Sequence, residues 1–130
     1  MPKLFKFKSF RNKSGTLIPL EINNKFPIKV KRIFFIYGKR NYLRADHAHK
    51  KCSQYFISIF GKIKLDYINK KSKGSKVLDS KKKVGFLLEP KNWCKVRFIT
   101  NNAILMVVCD RPYEFKDYIE NYNNFLKYIK

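Results

Sequence analysis

The sequence predicts an all-β domain, a small barrel or sandwich followed by one C-terminal helix. Three observations carry this expectation. Apolar runs mostly four to eight residues long, rich in Val, Ile, Phe and Tyr, recur along most of the chain. Turn-forming residues separate them. After Pro112 the apolar spacing changes from that of strands to that of a helix.

In chain order, the runs cover residues 4–10, 16–22, 28–37, 55–60, 63–68, 84–88, 96–99 and 103–109. Asn12-Lys13-Ser14-Gly15 divides the first two, and Asn23-Asn24 ends the second. Gly38-Lys39-Arg40-Asn41 closes the third, Gly61 separates 55–60 from 63–68, and Gly74-Ser75, Pro90 and Asn101-Asn102 punctuate the rest. Lys70-Lys71-Ser72-Lys73 and Lys81-Lys82-Lys83 fall in segments with a loop composition. Tyr118, Ile119, Tyr122, Phe125, Leu126 and Ile129 share one face at helical spacing. Small sheets must cover their edges, so the first strand is expected to pair across a two-fold axis in a homodimer.

The chain has 130 residues, 45% of them hydrophobic and 16% aromatic, with only 5 Gly and 5 Pro. That length fits one domain, 1–130, and that composition excludes a disordered chain. No apolar run approaches the ~18 residues of a membrane span, and Met1-Pro2-Lys3 does not open a secretory signal, so a cytoplasmic protein is expected. Cys52, Cys94 and Cys109 are too irregularly spaced for a disulfide framework or zinc knuckle, and read as reduced thiols.

The net charge of +21 taken alone points to nucleic acid. Lysines supply most of it and are scattered along the chain, whereas bidentate phosphate recognition favours clustered arginine. A basic β-barrel that binds nucleic acid is therefore the alternative reading, and a solvated cationic coat the preferred one.

The two histidines of the chain occur together as His47-Ala48-His49. On a strand, residues two apart face the same side, so both imidazoles enter one space. His47-x-His49, Gln54 and Gly61, with an apolar strand between the last two, resemble the first signature of the cupin superfamily, whose jelly-roll barrels carry their sites inside. Metal-binding cupins place a Glu where Gln54 stands and supply a third His from a later segment, which here contains none. Two imidazoles and an amide are a poor set for Zn²⁺ or Fe²⁺, and only Glu89 offers a 2-His-1-carboxylate alternative. The histidines therefore read as acid–base groups, with no metal site.

A closer resemblance spans nearly the whole chain. The run 28–37, then Arg44-Ala45-Asp46-His47-Ala48-His49-Lys50-Lys51 with Gln54, and the ending Asp117-Tyr118-Ile119-Glu120-Asn121-Tyr122-Asn123-Asn124-Phe125 are similar to the nucleotide-linked sugar 3,4-ketoisomerases. The resemblance implies a cofactor-free cupin, dimeric with exchanged N-terminal strands. It implies a dTDP-4-keto-6-deoxy-glucose substrate converted to the 3-keto isomer on the way to a 3-amino-3,6-dideoxy sugar.

That chemistry suits the residues, because moving a carbonyl from C4 to C3 means removing one carbon-bound proton and returning another through an enediol. The resemblance implies His47 as principal base, with His49 positioning the sugar or relaying a proton. It places Arg44 by the developing enediolate. Arg32, whose planar fork pairs well with phosphate oxygens, is expected by the diphosphate, and Gln54 can hydrogen-bond the substrate or a histidine without adding charge. Phe34 and Phe35 stand where several relatives carry Tyr, so a tyrosine relay would move to Tyr37. Ala45 replaces the usual Gly. Trp93 and Tyr113 are expected to fill the core.

Overall fold

A computed structural model describes residues 2–130. The strands are β1 (Lys3–Lys6), β2 (Phe10–Asn12), β3 (Gly15–Leu17), β4 (Arg32–Tyr37), β5 (Leu43–His49) and β6 (Gln54–Phe60). They continue as β7 (Lys62–Ile68), β8 (Lys73–Asp79), β9 (Val84–Leu88), β10 (Trp93–Phe98), β11 (Ile104–Cys109) and β12 (Tyr118–Ile119), before helix α1 (Tyr122–Tyr128). One five-stranded sheet runs β1-β9-β6-β11-β4, a second runs β12-β5-β10-β7-β8, and β2 and β3 form a separate hairpin. All pairings are antiparallel and the crossovers between the sheets give the jelly roll expected from the sequence, as two facing sheets that stay separate.

Period-two alternation explains the layers. Phe56 and Phe86, with Leu105 and Val107, point inward from the first sheet to meet Leu65, Leu78, Val96 and Phe98 of the second. Their neighbours Tyr55, Ile57, Met106 and Val108 point out of the first sheet and are covered by Phe5, Leu20, Phe26, Ile28 and Val30. On the outside of the second sheet, Ala48, Trp93 and Ile119 pack under Phe125 of α1.

Several element boundaries differ from the sequence expectation. The run 28–37 is a strand only from Arg32, because Ile28 and Val30 are spent covering the first sheet and pairing begins at the Lys31 N–H to Cys109 carbonyl bond of 2.8 Å. Run 4–10 breaks because the chain leaves the sheet where Phe7 N–H donates to the carbonyl of Lys83, the residue just before β9. Residues 73–79, which include the expected turn Gly74-Ser75, form edge strand β8 instead, with Leu78 fully buried. The helix starts at Tyr122, capped by the Asn121 side chain accepting from Asn124 N–H at 3.0 Å. Tyr118 and Ile119 instead pair with His49 and Ala48. Within the single chain β1 pairs with β9 of the same chain. No helix among the described residues is long and apolar enough to cross a membrane.

Candidate active site

The histidine strand β5 is built irregularly. Ala45 and Asp46 have φ of 67° and 58°, the left-handed region, and the β5–β10 register shifts there so that His47 lies opposite Cys94. Trp93 Nε1–H donates to Asp46 at 3.0 Å and fixes this bulge from the helix side of the sheet. Beyond it, His47 and His49 both face the space between the sheets, with ring centroids 5.1 Å apart and nearly perpendicular planes. The expectation that the pair shares one face on a strand holds.

The two rings are in unequal surroundings. His49 is buried, and its Nδ1 lies 2.9 Å from Asp117 Oδ2. Asp117 also accepts from the backbone N–H of Lys51 at 2.7 Å and of Cys52 at 3.3 Å. Burial alone would raise the Asp117 pKa, but these bonds, led by the one from His49, hold it below its ordinary value. A carboxylate at Nδ1 fixes the tautomer with hydrogen on Nδ1 and the lone pair on Nε2. That Nε2 is buried and has no hydrogen-bond partner. Burial also lowers the pKa of His49 despite Asp117, and lowers that of His47 to about 4 with help from its neighbour His49. Both imidazoles are therefore neutral, proton-accepting groups at neutral pH.

Tyr118, placed beside His49 by β12, has its ring 4.4 Å from that of His49 and 4.9 Å from that of His47. Its hydroxyl accepts a long bond from Arg32 Nη1 at 3.5 Å. The Arg32 guanidinium lies over Phe34 at 4.7 Å and Tyr113 at 5.1 Å. Gln54 is buried and its Nε2 lies 3.7 Å from Cys109 Sγ. Arg44 is exposed, opposite inward-facing Val96, and so lies on the histidine face of β5.

The structure thus gathers His47, His49 and Arg32, with Gln54 on the facing sheet, and places Arg44 toward the same face. Tyr37 is not gathered. It is 77% exposed on the outer face of β4, opposite in phase to Arg32, Phe34 and Ile36, because an odd offset along a strand reverses direction. Glu89 is exposed and lines a separate groove with Lys70, Lys71 and Lys91, so it does not complete a 2-His-1-carboxylate set. Trp93 fills the core as expected, whereas Tyr113 is 60% exposed beside Arg32. Asp117 and Tyr118 are site residues that the sequence reading does not assign, since Tyr118 is expected on the helix face and Asp117 carries no expected role.

The chain matches the family model described as FdtA: WxcM-like, C-terminal, over residues 1–130. It is 30% identical over 98% of its length, and 91% of the relative's, to a TDP-4-oxo-6-deoxy-alpha-D-glucose-3,4-oxoisomerase of Aneurinibacillus thermoaerophilus. Among solved structures it resembles a mutant of the 3,4-ketoisomerase QdtA of Thermoanaerobacterium thermosaccharolyticum in complex with TDP-4-keto-6-deoxyglucose. That match has a TM-score of 0.91 and 27% identity, covering 98% of this chain and 93% of that one. A 3,4-ketoisomerase of Helicobacter canadensis gives a TM-score of 0.90 and 28% identity, over 98% and 96% of the two chains. A jelly roll carrying paired neutral histidines, matched to one family model from end to end, belongs to the FdtA, WxcM-like family.

Proposed function

We propose that this chain is a TDP-sugar 3,4-ketoisomerase that moves the keto group of TDP-4-keto-6-deoxy-glucose from C4 to C3. One observation carries the mechanism: the buried, unpartnered Nε2 of His49, with Asp117 bonded to the opposite ring nitrogen at 2.9 Å. A neutral imidazole with its lone pair aimed into the site takes a proton, and the carboxylate behind it stabilises the cation that results. The similarity to TDP-sugar isomerases supplies the substrate class.

In this reading His49 removes the proton from C3 of the sugar. The electrons form the C3–C4 double bond of an enediolate whose negative charge rests on O4. His47, also neutral and adjoining, carries the proton that leaves O3 to O4. Return of the proton from His49 to C4 then yields the 3-keto product, with no net gain or loss of protons. The geometry favours His49 over His47 as the carbon base, because Asp117 bonds to His49. Arg32 and Tyr118 are donors available to the enediolate oxygens or the diphosphate, and Arg44 lies nearer the open side. Gln54 offers an uncharged amide to the sugar.

The outer face of β4 leaves Ile33 and Phe35 47% and 53% exposed, and Phe10 and Leu17 of the β2–β3 hairpin are also uncovered. These apolar faces support a homodimer in which N-terminal strands are exchanged. A 3-keto product is the substrate that an aminating enzyme of a 3-amino-3,6-dideoxy sugar route requires, and we place the reaction in the cytoplasm. The test is incubation with TDP-4-keto-6-deoxy-glucose in D₂O, followed by NMR. Deuterium entering at C3 or C4 together with a 3-keto product is the expected result, and neither exchange nor new product would refute the reading.

A further inference from the structure

The side of His49 away from the cavity holds a set of donors that proton transfer uses only in part, since Cys52 has no role in it. A ring nitrogen of His49, Cys52 Sγ and a carboxylate oxygen of Asp117 all lie within 4.8 Å of one another, and it is Nδ1 that faces Asp117, at 2.9 Å. The three residues are 7%, 6% and 8% exposed. The Cys52 thiol donates to the Ser53 carbonyl at 3.3 Å. We propose that this cluster is a site for a thiophilic divalent cation of the Zn²⁺ or Cd²⁺ class, bound behind the imidazole by His49, Cys52 and Asp117, and that its occupation switches the isomerase off.

Donor type and charge both fit. Imidazole nitrogen, thiolate and carboxylate are the ligands such ions take, in tetrahedral geometry. With Zn–N and Zn–S bonds of about 2.0–2.3 Å, neighbouring donors in a tetrahedral site stand about 3.5 Å apart. The His49–Asp117 pair is already closer, at 2.9 Å, and the widest gap in the set needs to close by only about 1 Å. One thiolate and one carboxylate balance the two positive charges, so the filled site is neutral, as burial requires. Binding releases one proton to solvent, from Cys52 Sγ, while the His49 proton moves from Nδ1 to Nε2. The set differs from the cupin arrangement described above, because it uses Nδ1 of one histidine and leaves out His47 and Gln54.

Inhibition follows from the tautomer and rests on the role proposed for His49. An imidazole bound through Nδ1 keeps its hydrogen on Nε2, so the atom that would accept the C3 proton becomes a donor. The cation lies on the protein side of the ring and leaves the sugar's place open. Turnover should therefore fall while KM stays.

The test is titration of the substrate-free protein with CdCl₂, following thiolate-to-cadmium charge-transfer absorbance. A band saturating at one equivalent is expected, lost in Cys52→Ala and kept in Cys94→Ala. Cys52→Ser, closer in size to the native residue, should lose it equally and serves if the alanine variant does not fold. In the wild-type protein Cd²⁺ should lower kcat at least about tenfold with KM within about twofold, reversed by chelator and absent in Cys52→Ala. No band at stoichiometric Cd²⁺, a band that survives both Cys52 variants, or a rise in KM without loss of kcat would overturn the proposal. Because binding is read without substrate, an inactive protein would still report the site, and a missing band would leave the metal-free isomerase assay standing.

Discussion

Strand β10 has two neighbours that treat it differently. On one side β7 pairs with it in unbroken register from Trp93↔Ile68 to Phe98↔Ile63. On the other, β5 pairs with a register shift, two consecutive left-handed residues and a buried nitrogen without a partner. Regular pairing with apolar inward side chains such as Ile63 and Leu65 gives the β7 side its stability. The β5 side departs from that regularity to hold two imidazoles in a shared space, and the packed half of the sandwich sustains the cost.

Substitutions on the two sides should separate stability from chemistry. The largest effect on stability is expected at Leu65, fully buried on β7. Leu65→Ala should cost about 2–5 kcal/mol in denaturant unfolding while the folded fraction keeps its kcat. A comparable loss of kcat per folded molecule would show that the two sides are not separable. Asp117→Asn leaves the core filled but removes the charge behind His49. It should lower kcat by about 10–100-fold with little change in KM, read by steady-state kinetics.

Acid provides a graded version of the same comparison. Burial lowers the His47 pKa from 6.5 to about 4, so the unfolded chain binds this proton more readily than the folded one. Its contribution to stability is therefore complete above pH 6.5 and lost as pH falls toward 4, at up to about 1.4 kcal/mol per pH unit. His47→Gln should flatten that part of the pH–stability curve, whereas Lys64→Gln on the outer face of β7 should leave it unchanged. The smallest effect is expected at the bulge. Ala45 pays for a φ of 67°, so Ala45→Gly should raise stability by about 1 kcal/mol, measured by the midpoint of urea unfolding.

Legibility in the sequence followed the same division. Regular strands announced themselves by apolar alternation, and the facing of His47 and His49 followed from period two. Strand β8 was hidden because an edge strand tolerates lysine on its open side and needs little more than Leu78 buried. Strand β12 was hidden because two residues are too short to show a period, and Tyr118 and Ile119 happen to continue the helical spacing of α1. With it went Asp117 and Tyr118, which complete the site only through pairing across 68 residues of chain. The exclusion of Tyr37 was available from the sequence, since its odd offset from Arg32 along one strand sends it to the other face.

The central claim is that His49, rather than its neighbour, takes the proton from carbon. It is tested most directly by deuterium wash-in at C3 and C4 of TDP-4-keto-6-deoxy-glucose, comparing His49→Gln with His47→Gln. The account predicts that His49→Gln loses wash-in by about 10²–10⁴-fold, while His47→Gln retains exchange at carbon more than it retains net isomerisation. Exchange at the wild-type rate in His49→Gln would contradict it.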